Sequence, residues 1–223
     1  MSYYPIFVEL EDQKILVVGG GKVAQRKIET FLKYGAEILI VSKELTFLLE
    51  KYVEDGKISQ LGKEFDIDHL TDIFMVIAAT DDPQLNAKIS SEAKSRGILI
   101  NAVDQPCDCT FIVPSIVKRG DLQVAVSTSG KSPAFAKKIR RELEVTFGKG
   151  YKDFLVLMGV LRKEILKMGF PQEENSRIFH ELVDSPVLEA LEADDMNRLA
   201  SILNRILNKN LSACDVEYYL RAG

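Results

Sequence analysis

The stretch KILVVGGGKVAQRKIETFLKYG, Lys14 to Gly35, decides the fold. Its first half is an unbroken apolar run that ends in glycines. A run without polar alternation belongs to a strand buried on both faces, as in a parallel sheet. The second half spaces Val23, Ile28, Phe31 and Leu32 for one apolar helix face, and Gly35 is placed to end that helix. Between the halves, Gly19-Gly20-Gly21-Lys22-Val23-Ala24 has the form G-x-G-x-x-A. Gly19 makes the tight turn, Gly21 lets backbone approach a pyrophosphate, and the small Ala24 allows close strand–helix packing. Lys22 and Val23 open the helix, whose first amides and partial positive charge suit a phosphate. A glycine turn kept only for packing would look the same in isolation, so the surroundings carry the argument.

The surroundings alternate strand and helix. EILIVS (Glu37 to Ser42), KISQLG (Lys57 to Gly62), FMVIAAT (Phe74 to Thr80) and ILINAV (Ile98 to Val103) read as four more strands, the second of them weak. Asp82-Pro83 supplies an N-cap and a first-turn proline for a helix that Gly97 closes. Such alternation predicts an α/β fold, a Rossmann-type parallel sheet over residues 1–113. An acid that meets the adenosine ribose is expected about 20 residues beyond the glycine loop. That position reads Ser42-Lys43-Glu44. Glu44 suits a free ribose and Lys43 a 2′-phosphate, so NAD and NADP both remain open at this point.

After Asp104 the pattern changes. TFIVPSIV and LQVAVS flank Lys118-Arg119-Gly120-Asp121 and predict an antiparallel hairpin turning at Gly120. Ser132-Pro133 starts a basic helix, and everything beyond Gly150 reads as helical. The expected division is therefore a small α+β dimerisation region at 114–149 and a C-terminal helical domain at 150–223. A hairpin with one helix makes a poor core alone, so a homodimer is expected.

Two short segments call for a decision. Ser127-Thr128-Ser129-Gly130-Lys131-Ser132 ends like a nucleotide P-loop, but the glycine required five residues before Gly130 is Ala125. The better reading is an anion site of hydroxyls at a helix start, with Lys131 placed to grip a carboxylate. In NAVDQPCDCTFIVPS, 101–115, Cys107 and Cys109 lie one residue apart with no histidine nearby, a poor zinc set. Asp104, at the end of a sheet strand, stands where a doubly wound fold binds its ligands.

Composition narrows the class. The chain has 223 residues, 46% hydrophobic and 28% charged, ordinary for a globular protein with a sizeable core. The net charge of −4 counts against a dedicated nucleic-acid binder. No apolar run is long enough for a membrane span, and the start lacks a secretory pattern. Three cysteines are too few for a disulfide framework and fit a reducing cytoplasm. Cys214 gives no functional reading.

Together these pieces resemble the NAD-dependent precorrin-2 dehydrogenase and sirohydrochlorin ferrochelatase family, the N-terminal module of siroheme synthases. The segments that carry the resemblance are YPIFVELEDQKILVVGGGKVAQRK, IAATDD and NAVDQPCDCTFIVPSIVKRGDLQVAVSTSGKSPAFAKKIR. They cover Tyr4 to about Arg141, and the chain looks like the stand-alone form. The resemblance implies NAD as cofactor, with Ala79 and Thr80 joining the glycine loop at it. It implies Asp104 as catalytic base, a tetrapyrrole held by Ser127–Ser132, and in some members insertion of Fe²⁺. No metal-ligand set is implied. A dehydrogenase without chelatase activity, and a non-catalytic NAD(H)-sensing module, are the competing expectations.

Overall fold

The computed structural model describes residues 3–221. The chain divides into two compact units, with the boundary between Val113 and Pro114.

The first unit is built on five parallel strands: β1 (Lys14–Val18), β2 (Glu37–Val41), β3 (Ser59–Gly62), β4 (Met75–Ala78) and β5 (Leu99–Ala102), in the order β3-β2-β1-β4-β5. Ile15, Leu16 and Val17 are all fully buried, which is why β1 tolerates no polar alternation. On one face Ile15, Val17, Ile38, Ile40 and Ile77 pack against helices α1 (Lys22–Leu32) and α2 (Phe47–Glu54). On the other, Leu16, Val18, Val76, Ala78 and Ile100 pack against α3 (Pro83–Ser95) through Ile89 and Ala93. As expected, Asp82 caps α3, accepting from the amides of Gln84 and Leu85 at 2.9 and 3.2 Å.

Two local expectations need correction. Val23 is not on the buried face of α1; Ala24, Ile28 and Phe31 form it. The helix starts so close to β1 that only the small Ala24 fits against the sheet, and Val23 turns outward. The sequence also hid α2, whose eight residues bury only Leu49 fully. Thr46 caps it and also donates its hydroxyl to Gln25 at 2.7 Å, tying α2 to α1.

The second unit opens with strands β6 (Ser115–Arg119) and β7 (Leu122–Val126), paired antiparallel with Val117 opposite Val124. Gly120 takes φ +59°, as a two-residue hairpin turn requires. Helices α4 (Pro133–Thr146), α5 (Gly150–Lys167), α6 (Gln172–Asp184), α7 (Val187–Glu192), α8 (Met196–Leu207) and α9 (Ala213–Arg221) follow. Leu157, Leu161 and Ile165, spaced one helical turn apart, meet Leu182, Val187, Leu199, Leu203 and Val216 in one apolar core. Glu164 ties α5 to Lys209 and to the Tyr219 hydroxyl. Burial and that hydrogen bond push the Tyr219 phenol up to about 12. No helix among the described residues is long and apolar enough to cross a membrane.

Candidate functional site

The ends of four strands emerge at one edge of the parallel sheet. The amide of Gly19 reaches the Val41 carbonyl at 2.9 Å, that of Ala79 reaches Val18 at 2.8 Å, and that of Val103 reaches Ala78 at 2.9 Å. These bonds extend the ladders past the strands and hold the following loops side by side. The strand order reverses between β1 and β4, which is where a doubly wound sheet opens a crevice.

A cavity of about 750 Å³ lies there, large enough for a dinucleotide. Gly19, Gly20, Gly21, Ser42, Lys43, Glu44, Ala79 and Thr80 all contribute to its wall. Lys22 and Val23 do not line it; they are exposed in the first turn of α1.

The three glycines differ in what surrounds them. A Cβ on Gly19, at φ +114°, would stand 2.2 Å from the Ala79 carbonyl oxygen. A Cβ on Gly20 would stand 2.0 Å from the Glu44 carbonyl oxygen, and the Gly20 carbonyl accepts from the Thr46 amide at 3.0 Å. A Cβ on Gly21 would meet nothing within 4 Å. So two glycines let the loop press against the neighbouring strand ends, and the third leaves backbone open. No side chain caps the first turn of α1. Open backbone at an uncapped helix start is the cradle a pyrophosphate fits.

At the far rim Lys43 is engaged by Glu64 at 3.0 Å. Ser42 turns its hydroxyl onto the Glu44 carbonyl at 2.7 Å. At the opposite wall the Thr80 hydroxyl donates to the Asn86 amide oxygen at 2.7 Å, and Asn86 donates back to the Thr80 carbonyl at 3.1 Å.

Asp104 does not line this cavity. It stands exposed at the crest of the turn after β5, the strand paired with β4, which leads into Ala79 and Thr80; its φ is +58°. Left-handed backbone is uncommon for a residue with a Cβ, although aspartate tolerates it best with asparagine. Its carboxylate has no hydrogen-bond or ion-pair partner among the described residues.

The turn is anchored on α3. Gln105 donates to the Pro83 carbonyl at 3.0 Å, Ser90 to the Asp108 carbonyl at 2.6 Å, and Lys94 to the Cys107 carbonyl at 3.1 Å. Beyond it Thr110 pairs back onto Ile100, its amide 2.8 Å from the Ile100 carbonyl.

The two cysteines part company. Cys107 is exposed. Cys109 is inside the turn, its sulfur 3.2 Å from the Ala102 amide and 3.3 and 3.4 Å from the carbonyls of Ala102 and Gln105. Burial pushes its thiol up, more than its backbone partner and the nearby lysines lower it. The raised pKa disfavours the thiolate, which is the nucleophilic form. Among the described residues no three of His, Cys, Asp and Glu cluster as metal ligands do.

In the second unit, Ser127–Ser132 forms a compact loop before α4. Ser129 and Gly130 take φ +51° and +78°. Ser127 accepts from the Ser129 amide at 3.0 Å, and Thr128 from the Ser132 amide at 3.1 Å. Ser132 caps α4 by accepting from Phe135 at 3.3 Å. The Lys131 side chain is exposed, with no ion pair among the described residues.

Sequence reasoning missed Asn86, Ser90 and Asn101, the buried polar residues of the described chain. All three hold the loops at the ends of β4 and β5. The one legible signal was Asn101, an amide inside an otherwise apolar strand.

Comparisons with known proteins agree with this geometry. Residues 6–115 match the family described as NAD(P)-binding, and residues 119–146 match the central region of sirohaem biosynthesis proteins. Siroheme synthase 1 of Serratia proteamaculans is 49% identical over 144 residues, which is 65% of this chain and 30% of that protein. Siroheme synthase of Methylobacillus flagellatus is 41% identical over 188 residues, 84% of this chain and 40% of that protein. The chain thus spans less than half the length of these relatives. The solved structure of SirC, a precorrin-2 dehydrogenase, shares the fold, with a TM-score of 0.71 at 24% identity over 93% of this chain and 100% of that one.

Proposed function

We propose that the chain, whose residues 6–115 and 119–146 match an NAD(P)-binding family and the central region of sirohaem biosynthesis proteins, oxidises precorrin-2 to sirohydrochlorin with NAD⁺. The observation that carries the reading is Asp104. An exposed, unpartnered carboxylate on left-handed backbone stands at the ligand-binding edge of the sheet, beside a dinucleotide cradle. The oxidation removes a hydride and a proton from the substrate. NAD⁺ held at the Gly19–Gly21 loop would supply the hydride acceptor. Asp104 takes the proton, and it is free to do so because no cation or amide holds its lone pairs.

At the ribose end, Glu64 already engages Lys43, and Glu44 stands on the same rim. Lys63 lines the same cavity, and the carboxylates of Glu44 and Glu64 beside the two lysines suit the hydroxyls of a free ribose, which supports NAD. The open backbone of Gly21 at the start of α1 would hold the pyrophosphate, with Gly19, Ser42, Ala79 and Thr80 completing the wall. The substrate carries many carboxylates, and the Ser127–Ser132 loop, with its exposed Lys131, is assigned to one of them. Fe²⁺ insertion into the product requires loss of two pyrrole protons. The same base serves that step, with Fe²⁺ as substrate.

Residues 114–149 are assigned to self-association, followed by the helical region 150–223. Among the described residues of 114–149 only Val117 and Ala136 are buried apolar residues, whereas Phe135 and Val145 are 52% and 84% exposed. A second copy supplies the missing layer, so sedimentation at micromolar concentration is expected to give a dimer; a monomer alone would overturn this assignment. The unpaired cysteines support a cytoplasmic location.

The test is to mix the protein with precorrin-2 and NAD⁺ without air. NADH absorbance and the sirohydrochlorin spectrum are expected to rise together. If NAD⁺ binds and neither signal appears, the substrate is wrong and a non-catalytic NAD(H)-sensing module takes its place.

A further inference from the structure

Lys27 is a cation that the reaction as described does not use. It lies on α1, between the glycine loop and the helix end, and its ammonium donates to the Asn101 side-chain oxygen at 2.9 Å. Burial depresses its pKa, and the charge of Arg26 adds to the effect. A methionine there would pack against the sheet with no desolvation cost, so a half-buried lysine needs a reason.

The reason lies in what Asn101 holds. Asn101 is a buried residue of β5. Its amide nitrogen donates to the Phe111 carbonyl at 3.1 Å and approaches the Cys109 sulfur at 3.6 Å. Cys109 in turn closes on the backbone of Ala102 and Gln105. The chain between these two feet, Ala102 to Asp108, is the turn with Asp104 at its crest. Lys27 is thus joined to both feet of that turn, and it stands on the helix whose first residues cradle the dinucleotide. Asn101 satisfies Lys27 with its oxygen and the turn with its nitrogen, so neither end has a substitute partner.

We propose that Lys27 and Asn101 are positioning residues, a brace that couples the cofactor helix to the Asp104 turn and sets the distance between cofactor and base. The inference rests on the reading of Asp104 as the base. It makes the brace matter to the reacting geometry and not to cofactor affinity, because the cradle itself is backbone at Gly21.

The experiment measures kcat and the KM for NAD⁺ with precorrin-2, and NADH affinity by fluorescence, for Lys27→Met, Lys27→Arg, Asn101→Ser and Asp104→Asn. Lys27→Met is expected to lower kcat at least about tenfold, with the KM for NAD⁺ within about twofold of the starting protein, as misplacement of a reacting group does. Lys27→Arg keeps a donor to Asn101 and is expected to recover about half of the lost rate. A merely structural lysine would not give this split between kcat and KM together with rescue by arginine. Where Lys27→Met does not fold, Asn101→Ser carries the same expectation. An unchanged kcat, or a loss of rate explained wholly by weaker NAD⁺ binding, overturns the brace while leaving Asp104 in place. Turnover of Asp104→Asn at the starting rate overturns the reading of Asp104, and the brace with it.

Discussion

Asp104→Asn is expected to lower the rate of precorrin-2 oxidation by roughly 1,000-fold while NADH affinity stays unchanged. Asparagine is the right probe for this position. The residue sits at φ +58°, where asparagine is as much at ease as aspartate, whereas alanine would add backbone strain and confuse the outcome. The carboxylate has no partner among the described residues, so replacing it strands no donor and costs little stability. Asp104 also does not line the dinucleotide cavity, so cofactor binding has no reason to change. What is lost is a carboxylate oxygen able to take up a proton, which an amide is not. Single-turnover NADH absorbance without air reads the rate, and quenching of NADH fluorescence reads the affinity. A variant that oxidises precorrin-2 at the starting rate would remove Asp104 from the mechanism and leave it as a turn residue.

The two outer glycines of the loop are expected to fail in opposite ways. Gly19→Ala should lower stability by about 3 kcal/mol, since the added carbon meets the Ala79 carbonyl oxygen at 2.2 Å and must also adopt φ +114°. Gly21→Val should fold nearly as well as the starting protein, because φ there is −80° and nothing of the protein lies within 4 Å of the added carbon. It should nevertheless weaken NADH binding by roughly 100-fold, since the side chain stands where the pyrophosphate meets backbone. Thermal melting and NADH titration of the two variants separate the effects. Equal loss of stability in both, or normal NADH affinity in Gly21→Val, would contradict the assignment of Gly21 to the cofactor.

Much of the first unit, and the hairpin that opens the second, was legible in the sequence. The strands at Lys14–Val18, Glu37–Val41, Met75–Ala78 and Leu99–Ala102, the capped helix after Asp82 and the hairpin at Gly120 are all as expected. Each is written in interactions between near neighbours: an apolar run, an N-cap with its proline, a glycine at a turn. Helix α2 was missed because a short helix with one fully buried residue carries almost no periodicity. Val23 was placed on the wrong face because spacing alone does not say how closely α1 approaches β1. Gly20 passed as a filler position of the motif, yet it is as tightly enclosed as Gly19.

By itself, then, the sequence determined the parallel α/β fold, the glycine loop and the carboxylate at the end of the fifth strand, since all three depend on residues close together along the chain. Only the tertiary structure decided that Gly21 is the open glycine, that Cys109 is a partly buried thiol closing the Asp104 turn, and that Lys27 answers Asn101. The last pair is separated by 74 residues. Their meeting depends on β5 joining the sheet beside β4, on the same face as α1. That is a consequence of strand order, and strand order is set by the packing of the whole sheet rather than by any one segment.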